Sequence, residues 1–260
     1  MKLLTLNCHS WQEENQLEKI KYLAKTISEE KYDVITLQEV SQKLSRGEGI
    51  TKENYLSVLL DELNNLGIEE YEYFWDMSHI GYDIYEEGLA ILTKHKIVDK
   101  ESFFVTKSTD IKNYKARKIL KANISIENEI YTFFSCHLGW WHDEEESFKY
   151  QVKSLLDKVD NDKKTFLMGD FNNNAFVKDE GYDYLLSQGI YDTYKLAKEK
   201  DGGITVPGKI DGWSSCSDEK RLDLIFTNSK DIDVKISKVI FNGENKEVVS
   251  DHYGVEVIFG

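Results

Sequence analysis

The stretch LMGDFNNNAF, residues 167–176, changes character within a few positions. An apolar run stops at Gly169, and an acid and three amides follow it closely. A short apolar run that ends at a turn signal is typical of a buried strand, and glycine lets the backbone pass close to a neighbour or a ligand. Asp170 and Asn172 are therefore candidate functional residues at the end of a buried strand, whereas the next two amides are expected to turn the chain.

Helices and strands alternate on both sides of this strand. Apolar residues at helical spacing, which include Leu17 and Leu66, predict four helical segments. These cover 14–30, 52–66, a face running from Phe148 to Val159, and 179–200 with a break near Gly189. Strands are predicted in KLLTLN, DVITLQEV, YEYFWD, GLAILTK, IVDKESFFV, KILKANISI, EIYTFFSCHL, KTFLMGDF, RLDLIFTN, VKISKVIFN and YGVEVIF. Long runs of strands with interspersed helices favour an α/β sandwich of two mixed sheets faced by helices.

The composition favours one domain in a reducing compartment. The 260 residues are 40% hydrophobic, which is enough for one large domain or two small ones. Pro207 is the only proline and no Ser/Gly-rich linker is present, so we predict a single domain over 1–260. Cys8, Cys136 and Cys216 are odd in number and lack a CxxC spacing, which argues against a disulfide framework.

The formal net charge of −14 bears on location and partners. An acidic surface repels nucleic acid, because nucleic-acid binding depends on Lys and Arg. It also disfavours binding to anionic membranes. The same charge could serve solubility alone. The stretch MKLLTLNCHSW lacks the apolar core of a signal peptide. No stretch approaches the roughly 18 apolar residues of a membrane span. We expect a cytoplasmic protein with no membrane or nucleic-acid partner.

Polar residues lie where several predicted strands begin or end. They are Asn7, Gln38, Glu39, His137, Asp170, Asn172, Asp223, Ser250, Asp251 and His252. Each alone could be a turn residue, a cap or a satisfied core side chain. Their recurrence at strand ends, where open sheets collect functional groups, favours a common site.

The chemistry of these residues is consistent with such a site. Glu39, Asp170 and Asp251 supply oxygen donors suited to Mg²⁺, and no HExxH or CxxC pattern indicates zinc. His252 has a further acid available at Asp223 to fix its tautomer, and amide side chains can donate to phosphoryl oxygens without adding charge. A hard cation, an oriented imidazole and neutral donors together indicate phosphoryl transfer.

Seven short blocks occur in a fixed order over essentially the whole chain. They are TLN (5–7), LQE (37–39), GLAIL (88–92), CHL (136–138), GDFN (169–172), RLDLIF (221–226) and SDH (250–252). This ordered set resembles the endonuclease/exonuclease/phosphatase superfamily, which has the deoxyribonuclease-I-like fold. The resemblance implies a four-layer α/β sandwich with its site at the top of two facing sheets.

The resemblance also implies catalytic roles. Asp170 orients or activates the attacking water, and Asn172 holds a phosphoryl oxygen. His252, oriented by Asp223, contacts the scissile phosphate, while His137 stabilises the transition state or assists the leaving group. Which histidine or aspartate takes the proton stays open.

A metal site is implied in the same way. Glu39 binds Mg²⁺, or Mn²⁺, with Asn7 beside it and Asp251 near the metal. One or two metals are both compatible with the resemblance.

Three further stretches narrow the resemblance to one branch of the superfamily. They are HIGYDIYEEGLAIL (79–92), ITVPGKIDGW (204–213) and VSDHYG (249–254). They look like the branch that contains bacterial maltose 6'-phosphate phosphatases, cytosolic enzymes that hydrolyse a phosphorylated disaccharide. A related sugar phosphate is the nearest alternative substrate.

Substrate contacts are expected from residues in and around these stretches. The candidates are His79, Tyr82, Asp83, Arg117, Trp141 and Trp213. Trp140 is an alternative to the other tryptophans for stacking on a sugar face, and a packing role stays open for all of them. Either Glu86 or Glu87 is expected to support His137, and Glu87 is preferred.

The leading expectation is therefore a Mg²⁺-dependent phosphomonoesterase that converts maltose 6'-phosphate to maltose and phosphate. The alternative is an endonuclease or another phosphodiesterase with the same chemistry. The basic stretch KNYKARKILK (112–121) supports this alternative. A catalytically inactive scaffold is disfavoured because all the motif acids and histidines are present.

Overall fold

The computed structural model describes residues 1–45, 49–210 and 212–260, and none of the helices in these ranges is long and apolar enough to cross a membrane. The strands are β1 (Lys2–Asn7), β2 (Val34–Lys43), β3 (Glu72–Gly81), β4 (Tyr85–Thr93), β5 (Lys96–Phe104), β6 (Lys118–Ile126), β7 (Glu129–His137), β8 (Lys164–Asp170), β9 (Tyr191–Asp192), β10 (Glu199–Lys200), β11 (Asp223–Thr227), β12 (Val234–Ile240) and β13 (Gly254–Phe259). The helices are α1 (Gln16–Glu30), α2 (Tyr55–Asn65), α3 (Phe148–Leu156), α4 (Gly181–Ser187) and α5 (Thr193–Leu196).

The strands form two mixed sheets. The first has the order β10-β12-β13-β1-β2-β4-β3, and the second has the order β5-β6-β7-β8-β11-β9. Each sheet has a parallel pair near its centre, β1–β2 in the first and β7–β8 in the second. Parallel neighbours need a long crossover connection, and α1 and α3 provide these connections.

Alternating side chains of the central strands build three apolar cores, because successive residues of a strand point to opposite faces. Leu3 of β1 and Met168 of β8 lie in the core between the two sheets. Their neighbours point outwards: Leu4 packs under α1 and α2, and Leu167 packs under α3 and α4. Helices, sheet, sheet and helices thus form four layers, which confirms the predicted α/β sandwich.

Strand register brings the polar strand ends to one edge of the sandwich. His137 of β7 and Asp170 of β8 are paired positions, and Asp223 of β11 pairs with Asp170 from the other side. In the first sheet, Asn7 ends β1, and His252 lies just before β13, which runs antiparallel to β1. The two central sets of strand ends therefore face each other across the top of the sheets.

The segment 179–200 departs from the helix predicted for it. After α4, Gly189 has a φ of +86°, and the chain then forms β9, α5 and β10. Asp192 is buried and receives two hydrogen bonds of 2.9 Å from Arg221, while β9 pairs with β11. These contacts return the chain to the edge of the second sheet, so a continuous helix is impossible.

Four predicted helix boundaries also change, and one of them is the end of α3 at Leu156, three residues before Val159. The helices predicted over 14–30 and 52–66 are shorter, since α1 begins two residues later and α2 starts at its Asn54 cap. Leu17 is 55% exposed because it lies outside the buried stripe of α1, and Leu66 is 48% exposed because it follows the last turn of α2.

Candidate active site

A cavity of about 440 Å³ opens at the edge where the strand ends meet. Many of the predicted site residues line it. These are Glu39, His79, Tyr82, Asp83, Glu87, Arg117, His137, Asp170, Asn172 and His252. The volume lies within the range of small-molecule sites, which are concave and carry a few convergent polar groups.

Asn7 joins the two sheets at the floor of the cavity. Its amide Nδ2 donates to Glu39 Oε1 at 2.9 Å and to Asp170 Oδ2 at 3.3 Å. Asn7 is fully buried. Glu39 adopts a φ of +52°, at an irregularity in the pairing of β2 with β4. One buried amide therefore holds two acids from different sheets beside each other.

The end of β8 depends on glycine. A Cβ atom on Gly169 would lie 1.9 Å from the carbonyl oxygen of Cys136, and the φ of this glycine is +147°. The turn that follows is held by Asp170, whose Oδ1 accepts a hydrogen bond from the backbone N–H of Asn172 at 2.8 Å. Asn172 itself donates from Nδ2 to the Leu138 carbonyl at 3.0 Å. Both side chains are thereby fixed at the cavity.

His252 is held by acids on both sides. Its Nδ1 lies 2.9 Å from Asp223 Oδ2, and its Nε2 lies 3.8 Å from Asp170 Oδ2. Burial lowers the pKa of His252, but the charges of Asp223 and Asp170 outweigh burial and hold this pKa well above its usual value. Burial raises the pKa of Asp170 to about 7, although the charge of His252 opposes this shift. His252 and Asp170 can therefore present a cationic imidazole and a proton acceptor next to each other.

His137 has the opposite electrostatic environment. Arg117 Nη1 lies 3.5 Å from both of its ring nitrogens, and His137 Nε2 lies 3.7 Å from Asp170 Oδ2. Burial and the positive charge of Arg117 hold the pKa of His137 well below its usual value. The imidazole is therefore neutral, and it can donate or accept a hydrogen bond without carrying charge.

Glu87 does not support His137 as predicted. Its Oε1 lies 3.3 Å from His79 Nε2, and Arg117 occupies the position beside His137. Burial raises the pKa of Glu87 to about 8, while burial and the charge of Arg117 lower the pKa of His79 to about 3. The alternative, Glu86, accepts hydrogen bonds from a neighbouring turn away from the cavity.

The donor set near the floor of the cavity fits a hard divalent cation. Glu39 and Asp170 both present carboxylates there. Asp251 lies in a different cavity, where it forms a group of possible metal ligands with His9 and Glu13. Burial raises the pKa of Asp251, and the negative charge of Glu39 adds to this effect. Clustered carboxylate oxygens are the ligands that Mg²⁺ and Mn²⁺ prefer.

The predicted sugar-stacking tryptophans occupy three different environments. Trp140 lines the cavity, with the Arg117 guanidinium 5.5 Å from its ring centroid. Trp141 points the other way and packs on aromatic rings of α3 and α4, so it is not available for stacking. Trp213 donates from Nε1 to Asn172 Oδ1 at 3.0 Å and does not line the cavity. Trp140 is therefore the stacking candidate.

Two lining residues were missed by sequence reasoning. Lys112 and Tyr114 come from the loop before β6 and form part of the cavity wall. This loop lies beside the end of β3, because the Ile80 backbone N–H donates to the Ile111 carbonyl at 2.6 Å. No periodicity or motif marks them in the sequence. The only available signal is the basic stretch 112–121, which by itself is more typical of a solvated surface.

Residues 4–252 match the model of the Endonuclease/Exonuclease/phosphatase family. A solved structure of an endonuclease/exonuclease/phosphatase family protein from Leptotrichia buccalis C-1013-b is 43% identical, with a TM-score of 0.93, over 100% of this chain and 99% of that chain. No curated protein matches the chain at a significant level.

More distant structures share the fold alone. A mannosyl-6-phosphatase from Bacteroides thetaiotaomicron VPI-5482 is 18% identical with a TM-score of 0.73, over 100% of this chain and 99% of that one. TDP2 from D. rerio, solved in complex with a single-strand DNA product, is 15% identical with a TM-score of 0.66, over 100% of this chain and 98% of that one.

Proposed function

We propose that this chain, which belongs to the Endonuclease/Exonuclease/phosphatase family, is a cytoplasmic, metal-dependent phosphomonoesterase that acts on a small phosphorylated sugar. Endonucleases, exonucleases and phosphatases all hydrolyse phosphoesters, so this reaction class is common to the family. The favoured substrate is maltose 6'-phosphate, which is converted to maltose and phosphate. The proposed single domain spans the whole chain.

The observation that carries the proposal is that one cavity of about 440 Å³ collects acids, histidines, an arginine and a tryptophan. Its floor holds Asp170, Asn172 and His252, and its walls come from the Tyr82 turn and the loop around Tyr114. A phosphate monoester ends at its phosphate, so a cavity of about 440 Å³ can hold the phosphate and one small sugar together. A nucleic-acid backbone must continue on both sides of the scissile phosphate. The net charge of −14 also opposes a polyanion.

The attacking water is activated at the floor of the cavity. Asp170 accepts a proton from this water, since its pKa of about 7 suits a general base near neutral pH. His252, kept positive by Asp223, stabilises the negative charge that develops on the phosphoryl oxygens. Asn172 donates to a phosphoryl oxygen from its amide group.

The leaving group is assisted by Arg117 and His137, which lie beside each other in the cavity. Arg117 offers a planar guanidinium that can bind phosphate oxygens. His137, neutral beside Arg117, donates a hydrogen bond to the departing sugar oxygen. Trp140 offers its ring to a sugar face, and His79, Tyr82 and Asp83 contact sugar hydroxyl groups.

The metal is held by the acids beside Asn7. Glu39 would be the principal ligand, and Asp251 would be a second carboxylate close to the metal. When bound, Mg²⁺ or Mn²⁺ supplies positive charge and Lewis acidity at the phosphate. Asn7 keeps Glu39 and Asp170 at hydrogen-bonding distance from one amide.

A substrate panel tests the proposed function. Purified protein is assayed for phosphate release from maltose 6'-phosphate, mannose 6-phosphate and glucose 6-phosphate, with Mg²⁺, with Mn²⁺ and with EDTA. We expect metal-dependent release that is fastest with the disaccharide. Absence of phosphate release from every sugar phosphate would overturn the assignment.

A nuclease with the same chemistry is the second candidate function. Lys112 and Arg117, from the basic stretch 112–121, line the cavity and favour this alternative. Plasmid and single-stranded DNA are therefore assayed at the same enzyme concentration. Cleavage of DNA without phosphate release from sugars would select the nuclease.

A further inference from the structure

The segments 207–210 and 212–219, called the 207–219 loop, reach the cavity at Gly212, and the loop is held at its base. Val206 and Lys220 pair in an antiparallel bridge, so the loop leaves and re-enters the fold at adjacent positions. Gly212 lines the cavity and Trp213 contacts Asn172. Two neighbouring residues of this 207–219 loop thus reach two parts of the candidate active site.

Lys220 stabilises the loop from inside. Its side chain is fully buried, and its ammonium donates to the carbonyls of Gly208 at 2.7 Å, Asp218 at 2.8 Å and Cys216 at 3.1 Å. An ammonium has three N–H donors, so all of them are satisfied. Lysine is almost never fully buried unless it is paired. This lysine therefore serves as an internal donor that ties together both ends of the loop, at Gly208 and at Cys216 and Asp218.

Trp213 decides which way the Asn172 amide points. Its indole N–H donates to Asn172 Oδ1 at 3.0 Å. An indole nitrogen is only a donor, so the amide oxygen must face it and the amide nitrogen must point away. Nδ2 then donates to the Leu138 carbonyl at 3.0 Å, and its second hydrogen remains for a ligand in the cavity that Asn172 lines.

Gly212 packs the loop against Trp140. A Cβ atom there would lie 2.7 Å from Trp140 Cζ2, and the φ of Gly212 is +75°. Trp140 in turn lies under the Arg117 guanidinium. The loop therefore touches the Arg117 side of the cavity through Gly212 and the Asn172 side through Trp213.

We propose that Trp213 is a positioning residue that aims the Asn172 amide N–H at a phosphoryl oxygen of the substrate, and that Lys220 holds Trp213 in place through the 207–219 loop. This inference rests on the proposed function, because it takes Asn172 as a ligand of the phosphoryl group. In this role Trp213 orients the Asn172 amide and does not contact the sugar.

Trp213→Phe tests the positioning directly, because phenylalanine keeps an aromatic ring and loses the N–H donor. Removal of a whole oxyanion donor costs about 10²–10³-fold in kcat, so loss of its orientation should cost about tenfold in kcat with KM changed less than about twofold. The matched control is Trp141→Phe, since Trp141 packs away from the cavity. The control should keep wild-type kcat. Wild-type kcat in Trp213→Phe would overturn the proposal.

A double-mutant cycle separates positioning from a general effect on folding. If Trp213 acts only through Asn172, Trp213→Phe should cause no further loss of kcat in an Asn172→Ala background. If the two residues act independently, the fold losses of kcat in the single variants multiply in the double variant. That result would contradict the proposal. Thermal unfolding of each variant checks that the fold is retained.

A nuclear magnetic resonance titration gives an outcome that needs no turnover. The indole N–H signal absent from Trp213→Phe is assigned to Trp213 and followed as inorganic phosphate is added with Mg²⁺. We expect this signal to move on phosphate addition in the wild type and to stay unmoved in Asn172→Ala. If the Trp213 signal moves but no phosphoester is hydrolysed, the proposed function is rejected and the positioning role of Trp213 is supported. A signal insensitive to phosphate in an active enzyme would overturn the positioning.

Discussion

Asp170 contacts strands of both sheets. It pairs in register with His137 and Asp223 in its own sheet, and it accepts a hydrogen bond from Asn7 of the other sheet. Its burial accounts for a pKa of about 7. The motif GDFN makes Asp170 a candidate site residue from the sequence. The bond to Asn7 spans 163 positions, so no local pattern could reveal it.

Removal of the paired acid and base should abolish most turnover. Asp170→Asn and His252→Ala should each lower kcat/KM by about 10²–10⁴-fold, the usual contribution of positioned acid–base groups. Steady-state kinetics on the best substrate of the panel measures the loss. Asp162→Asn and His142→Ala, both at exposed positions, are the matched controls. Near-wild-type rates for either site variant would refute the assigned role.

Glu39 should govern the metal requirement. Glu39→Gln keeps the size of the side chain and removes its charge, so the Mg²⁺ concentration for half-maximal activity should rise about tenfold or more because a carboxylate ligand is lost. A titration of activity with Mg²⁺ after EDTA treatment measures this concentration. Asp162→Asn again serves as the control. An unchanged titration curve would count against the ligand role of Glu39.

Among the elements, β8 has the least tolerance for substitution at its end. A methyl group on Gly169 would overlap the Cys136 carbonyl, and its φ of +147° is unfavourable for other residues. Gly169→Ala should therefore destabilise the protein by about 3 kcal/mol or more, at the upper end of overpacking effects. Gly208→Ala is the control, since no atom lies within 4 Å of its added Cβ. Urea unfolding that is equal for both variants would contradict this account.

The start of β2 is tied to the turn after β4 through Asp33. Asp33 accepts hydrogen bonds from the Lys2 backbone N–H at 2.6 Å and from Lys94 at 3.1 Å, and it lies 2.8 Å from His95 Nε2. Burial raises the pKa of Asp33, but the bonds from His95 and Lys2 outweigh it and the pKa is lowered. The stabilisation is therefore present above the unfolded pKa of about 3.9 and is lost as pH falls through the lower folded value.

Asp33→Asn should lower the free energy of unfolding by about 1–2 kcal/mol near neutral pH, because hydrogen bonds to a charged group are weakened. The difference from wild type should shrink as the pH falls below about 4. Urea titrations across this range measure it, with Asp162→Asn as the surface control. A difference that is constant with pH, or that grows in acid, would disprove the ionic role of Asp33.

Elements that bury an alternating or continuous apolar run were predictable from sequence, and the central strands of both sheets match their predictions closely. Local patterns fail where distant contacts decide the conformation. The pairing of Asp192 with Arg221 breaks the helix predicted over 179–200. Arg117 lies beside His137, and Glu87 contacts His79 instead of His137. Neither contact has a sequence signature, because the partners come from different strands and loops.

On the scale of the whole molecule, the two facing sheets convert scattered motifs into one site. Neither sheet alone holds the complete set, since Asn7 and Glu39 come from the first sheet and His137, Asp170 and Asp223 from the second. The ordered motifs made the fold and the floor of the cavity predictable. The walls come from loops such as the one carrying Lys112, whose positions depend on packing rather than on periodicity.

The central claim is that this site hydrolyses a phosphate monoester of a small sugar with a divalent metal. The most direct test is the kcat/KM of metal-depleted protein for maltose 6'-phosphate as Mg²⁺ is restored, measured beside single-stranded DNA at the same enzyme concentration. We expect phosphate release that returns with Mg²⁺ and no cleavage of the DNA. Cleavage of the DNA with no phosphate release from the sugar would contradict it.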